Sequence, residues 1–118
     1  MADSQTAKSS DAVIEVMTLN LKPGTRDKFH QLYVAAALPL LKKWNFNVLA
    51  YGPTQHEEDV YYVIRAFKNV EDRQKSEDAY YNSDDWRKGP REAILAMVDH
   101  EAYLVVSAGT VKSWGERI

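Results

Sequence analysis

The 118-residue chain contains no cysteine, which excludes disulfides, thiolate nucleophiles and zinc–thiolate sites. It also lacks a basic surplus, since 15 Lys and Arg side chains are outnumbered by 17 Asp and Glu side chains. A net charge of −2 gives no electrostatic support for binding nucleic acid. No apolar run approaches the roughly 18 residues that a membrane span needs. We therefore expect no nucleic-acid or membrane partner, and a cytoplasmic location.

The length suits a single domain, which we place at residues 12–107. Residues 1–11 lack the apolar centre of a secretory signal, and they are predicted to form a disordered leader. Residues 108–118 include two glycines and show weak patterning. They are predicted to form a C-terminal tail, or an arm that reaches a partner.

Apolar periodicity divides the domain into seven elements. Thr25 and Asn69 are capping residues followed by acidic residues, so each marks the beginning of a helix. Pro39 lies inside the first helix, and it should kink that helix or split off its last turn. The predicted strands are residues 12–21, 46–52, 59–67 and 101–106, and the predicted helices are residues 26–44, 69–81 and 91–98.

The order β-α-β-β-α-α-β predicts an α+β fold of the ferredoxin-like type, with helices on one face of a four-stranded antiparallel sheet. The strands are apolar on both faces: in the third strand, Tyr62 and Ile64 point one way, and Tyr61 and Val63 the other. Monomers usually avoid the exposed apolar face that would remain. We therefore predict a homodimer. The alternative is a monomer whose C-terminal segment folds over the open face.

The ordered motifs of the chain resemble those of the NIPSNAP family. The first half has a strand that runs into Leu21-Lys22-Pro23-Gly24, then Phe29, then Ala37-Leu38-Pro39-Leu40-Leu41. The second half has Ala66-Phe67, then Asn69-Val70-Glu71-Asp72-Arg73, then Asp84-Asp85-Trp86. The resemblance spans roughly residues 13–106. It implies a dimeric α+β barrel, an architecture shared with antibiotic-biosynthesis-type monooxygenases, stress-responsive barrel proteins and haem-degrading enzymes.

The resemblance implies no activity, because fold alone does not supply one. The chain also departs from the family. Members often have His and Trp in the third strand, about where this chain has Val63 and Arg65. A site built on those two positions is therefore in question.

Six residues are candidates for binding a ligand between sheet and helices: Tyr33, Arg65, His30, Tyr62, Trp86 and Asn20. Arg65 is a lone cation in an apolar strand, so it either binds an anionic ligand group or pairs with Glu15, and we favour the ion pair. In the related cofactor-independent monooxygenases, Asn, Trp, Tyr and His residues surround an aromatic substrate. The resemblance implies such parts for Asn20 and Trp86, although aromatics at these spacings are more often core.

No pair of histidines has the i, i+4 spacing of a helical metal site, and we predict neither a metal nor a cofactor. Two functional hypotheses remain. The first is a NIPSNAP-like homodimer that binds a small apolar or aromatic molecule between its sheet and helices. The second is a cofactor-independent monooxygenase or isomerase, whose catalytic residues the sequence does not identify.

Overall fold

The computed structural model describes residues 11–118, so the predicted leader lies outside the described residues except for Asp11. Four antiparallel strands form one sheet in the order β2-β3-β1-β4. The α+β class and the four-stranded antiparallel sheet are as predicted. The strands are β1 (Val13–Leu21), β2 (Asn47–Pro53), β3 (Val60–Phe67) and β4 (Val98–Ser107).

The helices are short, apart from one between β3 and β4. They are α1 (Arg26–Leu32), α2 (Leu38–Lys43), α3 (Val70–Tyr81), α4 (Asp84–Arg87), α5 (Arg91–Leu95) and α6 (Ala108–Arg117). Asn69 caps α3 by accepting a hydrogen bond from the Asp72 N–H. Ser83 caps α4 in the same way, with the Trp86 N–H as donor.

Helices α1 and α2 are joined by one wide π-helical turn, Tyr33–Ala37, so the backbone stays helical from α1 to α2. Across this turn the Leu38 N–H donates to the Tyr33 carbonyl, five residues back. Pro39 follows immediately, in the first turn of α2. A proline ring clashes with the carbonyl four residues earlier, and the wider turn relieves that crowding. The irregularity is therefore a π turn before the proline, and the last turn is not split off.

The sheet has one face towards α1–α5 and one face away from them. Glu15, Leu19 and Val63 are buried on the covered face. Directly opposed residues point to the same side of a sheet, so the strand register shows to which face each of the other strand residues points. The core between this face and the helices consists of Leu19, Leu21, Phe29, Tyr33, Ala37, Leu41, Tyr61, Val63, Tyr80, Ile94 and Met97.

The other face of the sheet, which we call the open face, is also largely apolar. On β1 it carries Ile14, Val16, Thr18 and Asn20, and their partners on β3 are Ala66, Ile64, Tyr62 and Val60. On β4 it carries Val106, Leu104, Ala102 and His100. Leu104 has 52% of its surface exposed. The two-sided apolar pattern expected from the sequence is thus present in the fold.

Two boundaries near the C-terminus differ from the predictions. The third predicted helix ends at Leu95, and β4 begins at Val98, three residues before its predicted start. The reason is tertiary, because β1 pairs with β4 as far as Leu21 and Val98, across a register shift. Residues 108–118 were predicted only as a tail or an arm, without an assigned helix. Ala108–Arg117 form α6, which begins where the Ala108 N–H donates to the Ala12 carbonyl.

Candidate ligand cavity

A buried cluster of four charged side chains, which we call the charge cluster, joins the sheet to α3. Glu15 and Arg65 lie directly opposite each other on β1 and β3, and both side chains are 2% exposed. The Arg65 Nε lies 2.8 Å from the Glu15 Oε1. From α3, the Arg73 Nε donates to the other Glu15 oxygen at 2.7 Å, and Glu77 accepts from the Arg65 Nη2 at 3.1 Å. The ion pair favoured from the sequence is present, within a larger network.

Most N–H groups of Arg65 are engaged within this network. Its Nη2 also lies 2.7 Å from the Glu15 Oε1, and its Nη1 donates to the Tyr81 hydroxyl at 3.0 Å. The guanidinium lies over the Phe46 ring, with its carbon 5.1 Å from the ring centroid. Buried charges are tolerated only when paired and hydrogen-bonded, and Arg65 satisfies both conditions through its protein neighbours.

The two carboxyl groups of the charge cluster have opposite pKa shifts. Burial would raise the pKa of Glu15, but its contact with Glu77, the Arg65 charge and the hydrogen bonds from both arginines lower it overall. For Glu77, burial, the hydrogen bond with Glu15 and the Glu15 charge raise the pKa to about 8, against the opposing charges of Arg65 and Arg73. Glu77 therefore keeps its proton more readily than an ordinary glutamate.

A cavity of about 320 Å³ lies between the covered face of the sheet and the helices, and the charge cluster forms part of its wall. Most of the remaining wall is apolar or aromatic. The cavity reaches the surface beside Leu95, Glu101 and Tyr103, which are all exposed. The lining residues are Glu15, Met17, Leu19, Phe29, Tyr33, Ala37, Leu41, Arg65, Glu77, Tyr80, Tyr81, Trp86, Ile94, Leu95, Val98, Glu101 and Tyr103.

Two buried tyrosines of the cavity wall keep free hydroxyl groups. Tyr33 is 5% exposed, and its hydroxyl makes no hydrogen bond with residues 11–118. Tyr80 is 1% exposed, and its hydroxyl has no partner within the same range. Burial raises the pKa of both phenols, so both stay protonated at neutral pH. Each is a hydrogen-bond donor without an acceptor in the described part of the chain.

The structure brings three of the six sequence candidates together. Tyr33, Arg65 and Trp86 line the cavity. His30 does not line the cavity, and its Nδ1 lies 2.6 Å from the hydroxyl of Tyr61, which is not a lining residue either.

Tyr62 and Asn20 must be corrected as candidates for this site. Both point to the open face of the sheet, because Thr18 opposes Tyr62, and Asn20 opposes Val60. The strand pairing thus places them on the side away from the cavity.

The contribution of α3 to the cavity was not predicted from the sequence. Arg73, Glu77, Tyr80 and Tyr81 follow the spacing i, i+4, i+7, i+8, which is one face of a helix. This face contains charged residues where an apolar stripe is usual, so hydrophobic periodicity gives no signal for it. The spacing itself was available. A lone Glu15 and a lone Arg65 in apolar strands were the only hint that charges on α3 would be buried.

Neither a metal site nor a membrane-spanning helix is found among residues 11–118. These residues contain no group of three or more His, Asp or Glu side chains placed to hold a metal ion. No helix among them is long and apolar enough to cross a membrane.

A family model and solved structures of known proteins point to the same family. The NIPSNAP family model matches residues 14–107. A NIPSNAP-like domain protein from Burkholderia xenovorans superposes with a TM-score of 0.76 at 13% identity, over 82% of this chain and 84% of that one. A NIPSNAP family protein of unknown function from Agrobacterium tumefaciens gives 0.76 at 14% identity, over 83% and 88%.

The fold is also shared more widely. A protein from Caulobacter crescentus that is provisionally named an antibiotic biosynthesis monooxygenase gives a TM-score of 0.62 at 15% identity, over 90% of this chain and 97% of that one. At such identities the likeness shows the fold alone. No curated protein matches the chain by sequence.

The raised pKa of Glu77 predicts a pH-dependent stability. Between about pH 4.5 and pH 8 the folded protein holds a proton that the unfolded chain releases, so the free energy of unfolding should fall as the pH rises. In Glu77→Gln the amide resembles the protonated carboxyl group and does not titrate. Across this pH window the free energy of unfolding of the variant should therefore fall less than that of the wild type, and the difference between the two should be on the order of 2 kcal/mol. Urea denaturation between pH 5 and pH 8.5 measures both slopes.

Glu71→Gln is the matched control, because Glu71 is exposed on the same helix and pairs only with Lys75 among residues 11–118. It should keep the wild-type slope. Contributions to the slope that the three proteins share cancel in the comparison. Parallel curves for wild type and Glu77→Gln would show that Glu77 is ionised throughout this pH range.

Proposed function

This chain belongs to the NIPSNAP family, and we propose that it acts as a homodimer that binds a small, largely apolar or aromatic molecule in the cavity between its sheet and helices. The observation that carries the proposal is the cavity itself. Domain interiors are packed to the density of organic crystals, so a cavity of this size between sheet and helices is an exception to ordinary packing. Its apolar walls with a few polar groups have the composition of a small-molecule site.

The lining suits a flat ring system better than a flexible polar molecule. Tyr33, Tyr80, Tyr81 and Trp86 contribute aromatic surface, and Tyr81 meets Trp86 edge to face with ring centroids 5.2 Å apart. A volume of about 320 Å³ is at the lower end of the range for ligand pockets, which favours a molecule of two or three rings.

A neutral fluorescent probe, N-phenyl-1-naphthylamine, tests the proposed site. Its fluorescence should rise and saturate at one molecule per chain as it enters the cavity. Leu95→Trp should weaken binding at least ~10-fold, because Leu95 lies at the mouth and a larger side chain there blocks entry.

Val34→Trp is the control, since Val34 is 42% exposed against 41% for Leu95 and does not line the cavity. It should bind the probe like wild type. A probe that fails to bind the wild-type protein, or that binds Leu95→Trp equally well, contradicts the proposal.

The proposed dimer rests on the open face of the sheet. β1, β3 and β4 all present apolar side chains there, and an apolar surface that spans three strands favours burial against a partner. A second copy supplies the same surface, so a two-fold arrangement buries both at once. Helix α6 extends from the end of β4 with Trp114 52% exposed, which favours the second of the two predictions for this segment, an arm that reaches the partner, over a tail.

Light scattering after size exclusion should give twice the mass of one chain. Leu104→Asp should shift the protein towards the monomer, because it buries a carboxylate in the proposed interface. Leu104 is exposed in the single chain, so the substitution leaves the fold of each copy intact. Val34→Asp, on the helical side, should remain dimeric. A wild-type mass of one chain, or a dimer that Leu104→Asp leaves unchanged, argues against this interface.

One observation favours the second hypothesis, a cofactor-independent isomerase or monooxygenase. Glu77 borders the cavity, and a carboxylate with its raised pKa is suited to accept a proton from a carbon acid near neutral pH. Exchange of the α-protons of 2-tetralone in D2O, followed by NMR, tests this. The wild-type protein should accelerate the exchange, Glu77→Gln should not, and Glu71→Gln should retain the activity. Exchange at the rate of buffer alone would exclude Glu77 as a base towards such ketones.

A further inference from the structure

The charges around the cavity decide what kind of ligand it can accept. Its wall contains three carboxyl groups, from Glu15, Glu77 and Glu101, and a single guanidinium, from Arg65. Arg65 is the residue that would ordinarily bind an anionic ligand. Its Nε and Nη2 contact Glu15 and Glu77, and its Nη1 contacts Tyr81. To bind Arg65, a ligand carboxylate would have to displace the Glu15 carboxylate or the Glu77 carboxyl group and would then lie close to the one that remained.

The cavity is equally unsuited to binding a cationic ligand. The carboxylate oxygens of Glu15 accept from Arg65 and Arg73 at 2.7–2.8 Å. Glu77 also contacts both arginines, at 3.1 and 3.5 Å. Glu101 lies at the exposed mouth, where water screens its charge. The Glu15 carboxylate is therefore already compensated, and Glu77 keeps its proton because its pKa is raised to about 8. An ammonium group would lose its hydration without gaining an unpaired counter-ion.

The hydroxyl groups of Tyr33 and Tyr80 are the polar groups of the wall that remain unpaired among residues 11–118. The Tyr80 hydroxyl is fully enclosed by protein atoms, so the Tyr33 hydroxyl is the one that a ligand can reach. It belongs to a residue more than nine-tenths buried, it has no partner among residues 11–118, and its phenol stays protonated. Its ring contributes to the same cavity wall as the charge cluster. A phenol in this state donates one hydrogen bond, so the complementary ligand group is an oxygen acceptor.

We infer that the ligand is an uncharged molecule, mainly apolar, with a carbonyl oxygen that accepts a hydrogen bond from the Tyr33 hydroxyl. The chemical class is that of aromatic ketones, aldehydes and quinones. This inference rests on the proposed ligand-binding function and adds the polarity of the ligand to it. Arg65 holds α3 against the sheet and does not contact the ligand.

Four naphthalenes that differ in one substituent test the inference by displacing N-phenyl-1-naphthylamine from the wild-type protein. They are 2-acetylnaphthalene, 2-ethylnaphthalene, 2-naphthoate and 2-naphthylmethylammonium. The ketone should bind about tenfold more tightly than the hydrocarbon, which is the effect of one net hydrogen bond. Both charged compounds should bind more weakly than the hydrocarbon.

Tyr33→Phe identifies the donor. This variant should bind 2-ethylnaphthalene with wild-type affinity, and its preference for the ketone should disappear. Tyr51→Phe is the control, because the Tyr51 ring lies 6.1 Å from the Tyr33 ring but does not line the cavity. It should keep the tenfold preference. Unchanged binding of the hydrocarbon shows that Tyr33→Phe has folded with its cavity intact.

The outcomes separate this inference from the proposed function. If neither the probe nor any naphthalene binds, the proposed function itself fails. If the ketone and the hydrocarbon bind equally, or if Tyr33→Phe keeps the preference, the cavity binds ligands but the assigned donor is wrong. If 2-naphthoate or the ammonium compound binds most tightly, the charge cluster is the receptor and the inference is overturned.

Discussion

The pair formed by Glu15 and Arg65 is the interaction on which the rest of the covered face depends. Two charges lie opposite each other in the middle of the sheet, and each side chain is only 2% exposed. Neither could be buried alone, because an unpaired charge in a protein interior costs several kcal/mol. Arg73 and Glu77 complete the coordination from α3, so the helix is held to the sheet by charge as well as by packing. This explains why α3 has no apolar stripe.

The charge cluster and the cavity are consequences of the same arrangement. The Phe46 ring packs against the Arg65 guanidinium, and the cavity extends from the charge cluster to Ile94 and Leu95 of α5. The charged groups of the cluster pair with one another. One wall of the cavity is therefore polar but has no unpaired charge to bind a ligand. Tyr33 projects from the π turn, where the helix is widest. Such turns are frequent at functional sites, and this one supplies one of the two unpaired phenols of the cavity wall, the other being Tyr80 on α3.

The two faces of the sheet have separate roles. The covered face forms the core and the cavity, and the open face is apolar without being enclosed by α1–α5. Alternation along a strand sends neighbouring residues to opposite faces, so Tyr61 enters the core while Tyr62 points to the open face. Sequence distance is therefore a poor guide to the site, and adjacent tyrosines belong to different surfaces.

The sequence by itself determined the strands, the main helices, the two-sided apolar sheet and the Glu15–Arg65 pair, because periodicity, capping residues and lone charges in apolar strands are local signals. It also determined that Pro39 would disturb its helix. Only the tertiary structure decided the start of β4, the helix at the C-terminus, the exclusion of Tyr62 and Asn20 from the cavity, and the inclusion of Glu77 and Tyr80. Those features depend on strand register and on the burial of charge, and both arise from contacts between distant segments.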